Sequence, residues 1–152
     1  MTVLRRLRRD EQGQLAGAEA LPFGLLVFVA GVLLVANAWA VVDAKMAASS
    51  AAREAVRAYV EAPVGDDAAA RADAAGRAAI ADMGRNPERL ELAPVEAEFT
   101  RCAEVRYEAR YPVPFVTVPF IGGFGTGFTA VARHAEIVDP YRSGIPRGGA
   151  TC

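Results

Sequence analysis

The chain has 152 residues, a net charge of −1, two cysteines and one histidine, and 53% of its side chains are apolar. That length holds at most one modest domain. Two cysteines and a single histidine are too few for a structural zinc site, and the near-balanced charge offers no surface for nucleic acid.

In chain order, residues 1–19 form a basic leader with Arg5, Arg6, Arg8 and Arg9, and residues 20–42 follow with no ionisable group. At about 1.5 Å of rise per residue, a helix of this length crosses a hydrocarbon core of about 30 Å. Pro22 falls in its first turn, where a missing N–H is not needed. The leader's arginines predict a single pass with the N-terminus cytoplasmic and Asp43 onward on the far side. The competing expectation is a signal peptide cleaved near Ala36 to Ala40, which would release a secreted binding domain.

The periodicity beyond the span speaks for an anchor. Val42, Met46, Ser49, Ala52, Val56 and Tyr59 recur at spacings of three and four, and Arg57 and Glu61 are placed for an i,i+4 pair. One helix from Ala20 to Glu61 is predicted, ending before Pro63 and Gly65. Asp66 or Gly65 then caps a second, alanine-rich helix that stops at Gly84.

After Pro87 the period changes to two. Residues 104–113, EVRYEARYPV, alternate Val105, Tyr107, Ala109 and Tyr111 with charged residues, the pattern of a strand buried on one face. LELAPVEAEF precedes it with Pro94 as a break, and FTAVARHAEIV supplies a third strand. The expected fold class is α+β: a long transmembrane helix continuing into an extracytoplasmic helix, a second alanine-rich helix and a small antiparallel three-stranded sheet. The domain spans 43–139, and 140–152 reads as a flexible tail.

Little here suggests catalysis. GGFGTGFT spaces its glycines like a phosphate loop, but Phe128 stands where the lysine belongs, and His134 has no nucleophile in any motif. No catalytic residue, cofactor or metal is expected. The connection from Pro112 to Gly127 is apolar, with Phe115, Phe120, Ile121 and Phe124. It either covers the end of the sheet or contacts a partner subunit or the membrane surface. Outside the cytoplasm Cys102 and Cys152 can pair; a free Cys152 thiol is the alternative.

The leader RRLRRDEQG, then Glu19 and Pro22, the helix to Glu61, RYEARYPVP and ARHAEIVDP together resemble the TadE-like proteins of tight-adherence, Flp-type pilus systems. The resemblance implies a non-enzymatic minor pilin or pseudopilin. Its implied partners are other pilin-like or pilus-assembly membrane subunits, the lipid bilayer and a prepilin peptidase cutting between Gly13 and Gln14. It also implies an assembly role for Glu19. The family pattern has its glutamate fifth after the cut, whereas Glu19 is sixth, a turn of about 100° around the helix. Processing after Gly13 and retention as an uncut anchor are both open.

Overall fold

The computed structural model describes residues 20–113, 127–149 and Cys152. Helix α1 (Ala20–Val60) is followed by helix α2 (Ala68–Asp82), a 3-10 turn (Pro87–Arg89) and strands β1 (Glu91–Glu96), β2 (Glu104–Val113) and β3 (Phe128–Ile137). The strands form one antiparallel sheet in the order β1-β2-β3, so the fold is α+β. The chain divides into two units after Ala38.

In the first unit, the described residues are the apolar beginning of α1. Among the described residues, the most apolar 18-residue window of the helix has no buried side chain, and by length and composition the helix is sufficient to cross a membrane. Asn37 is the polar residue of this stretch. Its Nδ2 donates to the Leu33 carbonyl at 2.8 Å, within the helix, which lowers the cost of carrying an amide among apolar neighbours.

The second unit is built on alanine. Ala44, Ala47, Ala48, Ala51, Ala52 and Ala55 of α1 are fully buried, and Val56 and Tyr59 continue the same face. Each methyl contributes little area, but small side chains let backbones approach closely. Gly76 of α2 shows how closely: a Cβ added there would lie 3.4 Å from the Ala51 carbonyl oxygen. This face differs from the expected stripe. Ala52, Val56 and Tyr59 belong to it, but Val42 and Met46 are exposed. The reason is that a helix with alanine on several sides presents no strong apolar stripe, so the axis separation allowed by small residues selects the buried face.

Strand β2 buries Val105, Tyr107, Ala109, Tyr111 and Val113 against the helices. One cluster joins Ala44 to Ala52 of α1 with Ile80, Tyr111, Val113, Ala130 and Ala132, with Ala40 packed against it. The other joins Val56 and Tyr59 with Val105, Tyr107, Val138 and Ile145. At the sheet edge β1 shifts register between Pro94 and Glu96, since Pro94 lacks a ladder donor.

Helix ends follow local chemistry. Asp67, one residue beyond the expected Asp66, caps α2 by accepting from the Ala70 N–H at 3.0 Å. Gly84, at φ +70°, turns the chain out, and the Arg85 N–H bonds the Ile80 carbonyl at 3.1 Å. Arg57 and Glu61 form their i,i+4 pair at 3.1 Å. The end of α1 is capped from afar: the Arg142 guanidinium donates to the carbonyls of Val60, Glu61 and Ala62 and stacks on Phe99.

That contact is one of several that residues 140–149 make with the unit. Residues 140–149 form no helix or extended strand, yet Ile145 is buried, the Arg101 N–H bonds the Pro146 carbonyl at 3.0 Å, and Arg147 bridges to Arg101. The anchoring partners lie far away in sequence, so composition alone does not reveal them.

Candidate functional site

Two surfaces of the described residues stand out, one apolar and one charged. The apolar one is the wall of α1 from Leu21 to Val42, with Phe23, Phe28, Leu34 and Trp39 exposed; Trp39 is 73% exposed. Apolar side chains in such number need lipid or protein around them. Trp39 lies one turn before Asp43, the first ionisable residue after the run. This is where an amphipathic indole suits a boundary between hydrocarbon and headgroups.

The charged surface is the outer face of the sheet. Because side chains alternate along a strand, the residues between the buried positions of β2 are Glu104, Arg106, Glu108 and Arg110. Arg133 of β3 is directly opposite Glu108. The Glu108 carboxylate accepts from Arg110 Nε at 2.6 Å and from Arg133, and is only 6% exposed although it faces outward. These hydrogen bonds, first from Arg110 and then from Arg133, hold its carboxyl below the ordinary carboxylate range. Arg106 pairs with Glu104 and, at 3.7 Å, with Glu96 of β1. This compensated ladder keeps the face soluble and ties three strands together.

At the end of the second unit where α1 enters, Asp43 pairs with Arg85, whose guanidinium lies 5.3 Å from the Tyr111 ring centroid. Lys45 donates to the Val131 carbonyl of β3. Inside the sheet–helix interface, burial, followed by the nearby Tyr59, pushes the Tyr107 hydroxyl up to about 12.

The residues singled out by sequence fall unevenly. Gly13, Gln14 and Glu19 lie outside the described residues, as do Phe115, Phe120, Ile121 and Phe124. Cys102 and Cys152 are joined by a disulfide with Cα atoms 5.1 Å apart, and Cys102 sits in a turn at φ +65°. His134 is on β3, its Nε2 at 3.8 Å from Glu136 of the same strand. Among the described residues no group of three or more His, Cys, Asp or Glu side chains is arranged to hold a metal ion.

Comparisons with family models, curated proteins and solved structures returned no match. The resemblance to TadE-like proteins therefore rests on the residues quoted for it.

Sequence reasoning missed the Asp43–Arg85 pair, the enclosure of Glu108 and the cap formed by Arg142. For Glu108 a signal existed, since Glu and Arg alternate on the solvent side of β2. For the other two the partners are 42 and about 80 residues apart, and no local pattern joins them.

Proposed function

We propose that this chain is a non-enzymatic, single-pass membrane-anchored assembly protein of TadE-like type. The N-terminus of α1 faces the cytoplasm and the α+β unit lies outside it. The helix packs laterally against other pilin-like or pilus-assembly subunits. The observation that carries this reading is α1 itself. It is one uninterrupted 41-residue helix whose apolar beginning has no side chain buried among the described residues and whose later part contributes to the core of the α+β unit.

Cleavage after Ala38 or Ala40 would cut such a helix in its middle, and a cut after Ala40 would also remove that residue from the core it packs against. That argues for an anchor over a removable signal. The disulfide fits an oxidising compartment on the far side of the membrane.

The test is the mass of the mature N-terminus together with flotation on vesicles. A start at Met1, Thr2 or Gln14 in the floating fraction is the expected result. A start near Trp39 or Val41 in the soluble fraction overturns the anchor. The assembly role is tested by Glu19→Gln, with loss of crosslinking to neighbouring membrane subunits expected and unchanged crosslinking counting against it.

A further inference from the structure

We propose that the free edge of β3, from Arg133 to Ile137, docks an extended segment of another protein chain that carries a carboxylate opposite Arg133. The reading of α1 as a membrane span is not needed for it.

The edge follows from the direction of the backbone groups. In an antiparallel ladder, successive residues of a strand turn their N–H and C=O alternately toward the neighbour and away from it. The Val138 N–H bonds the Ala103 carbonyl at 3.0 Å, so Val138, Glu136 and His134 face β2. Ile137, Ala135, Arg133 and Val131 then face away, and the Lys45 ammonium on the Val131 carbonyl agrees with this. Lys45 closes that one acceptor. Among the described residues the backbone N–H and C=O groups of Arg133, Ala135 and Ile137 have no partner, which leaves three donors and three acceptors in a row.

The other edge of the sheet differs. Glu108 and Arg110 alternate with the β2 residues that bond β3, so they bond Ala93 and Glu91 of β1 and turn Leu92 and Pro94 outward. Proline has no N–H to offer, β1 has six residues, and its register shifts just after Pro94, so this edge is a poor template. Strand β3 has ten residues with neither a proline nor a register shift. A sheet blunted on one side and open on the other takes an added strand at the open side.

Charge selects the occupant. The side chains of Thr129, Val131, Arg133, Ala135 and Ile137 lie on the outer face, and Arg133 is the one ionisable group among them. It shares the Glu108 carboxylate with Arg110, and its side chain is 64% exposed. A carboxylate directly opposite on an added strand gives Arg133 a partner of its own, with apolar residues two positions to either side against Val131 and Ala135. A second copy of this chain offers no such strand. Its β3 has no acid on the outer face, and its β1, which carries Glu91, has Pro94 at the edge. On the inner side of β3, His134 and Glu136 lie 3.8 Å apart and answer each other.

The test is amide exchange by NMR in the isotopically labelled full chain in micelles. The probe is the capped peptide Thr-Val-Thr-Glu-Thr-Val-Thr, with a Lys-centred version as control. The expected result is slower exchange of the Arg133, Ala135 and Ile137 N–H groups with the Glu peptide. His134 and Glu136, already bonded to β2, stay unchanged, and the Lys peptide loses most of the effect. Ala135→Pro withdraws one outward donor and leaves the ladder to β2 intact, so its unfolding midpoint is kept while the peptide effect is lost. If Ala135→Pro does not fold, Arg133→Gln is read in its place, and it responds equally to the two peptides.

No slowing with the Glu peptide, or equal slowing with the Lys peptide in the native chain, overturns the proposal. A folded Ala135→Pro that keeps the effect, or an Arg133→Gln that still prefers the Glu peptide, overturns it as well. So does protection of the three N–H groups in the chain alone. Protection that grows with protein concentration assigns the edge to a second copy, and protection that does not assigns it to the chain itself.

Discussion

Gly76 of α2 lies against Leu92 of β1 so closely that a Cβ on the glycine would stand 2.9 Å from Leu92 Cδ2. Here two helices and a strand meet, and the missing side chain sets their separation. Gly76→Ala gains helix propensity of about 1 kcal/mol but must displace Leu92, whose flexible end yields easily, so stability stays within about 1 kcal/mol of wild type. Gly76→Val meets the Ala51 backbone as well and lowers stability by about 2–4 kcal/mol. Thermal unfolding of the full chain in detergent, followed by circular dichroism, checks both.

Arg142 supplies a cap that α1 does not provide for itself. Arg142→Met keeps much of the apolar stem over Phe99 but leaves three carbonyls without their donor, a loss of about 1–3 kcal/mol. Amide exchange at the last turn of α1 accelerates more than exchange in β2. Equal acceleration in both elements would show that the cap acts on the whole unit and not locally.

The outer-face ladder makes stability depend on pH on the acid side. Glu108 has its pKa lowered in the folded chain, so its contribution is present above the ordinary Glu value of 4.5 and disappears as pH falls through the lower folded value. Glu108→Gln lowers Tm at neutral pH and flattens the fall in Tm between about pH 5 and pH 2. Parallel curves for the two proteins would remove Glu108 from the acid response.

Tyr107 gives the opposite limb. Its folded value near 12 lies above the ordinary 10, so its contribution is complete below pH 10 and is lost as pH rises from 10 toward 12. In an ultraviolet titration one phenol ionises late, with its absorbance change removed by Tyr107→Phe.

The disulfide closes a loop with a sequence separation of 50. The chain-entropy treatment assigns this about 4 kcal/mol, so Cys152→Ser lowers the midpoint of unfolding and a reductant has no further effect on that variant. Native chain whose midpoint is unchanged by reductant would contradict the pairing's contribution.

The period-two pattern of residues 104–113 names strand β2 with both its ends, because alternation in a strand is decided by nearest neighbours along the chain. The 23 uncharged residues from Ala20 to Val42 likewise identify a membrane-length helix without reference to any partner. Which face of α1 is buried was decided by tertiary structure. Alanine at many positions leaves the local hydrophobic pattern nearly degenerate, and the close approach at Gly76 and Ala51 selects one solution. The same holds for Asp43 with Arg85, Arg142 with the end of α1, and Cys102 with Cys152. Each is a contact between residues more than 40 apart, created only when the packed core brings the segments together.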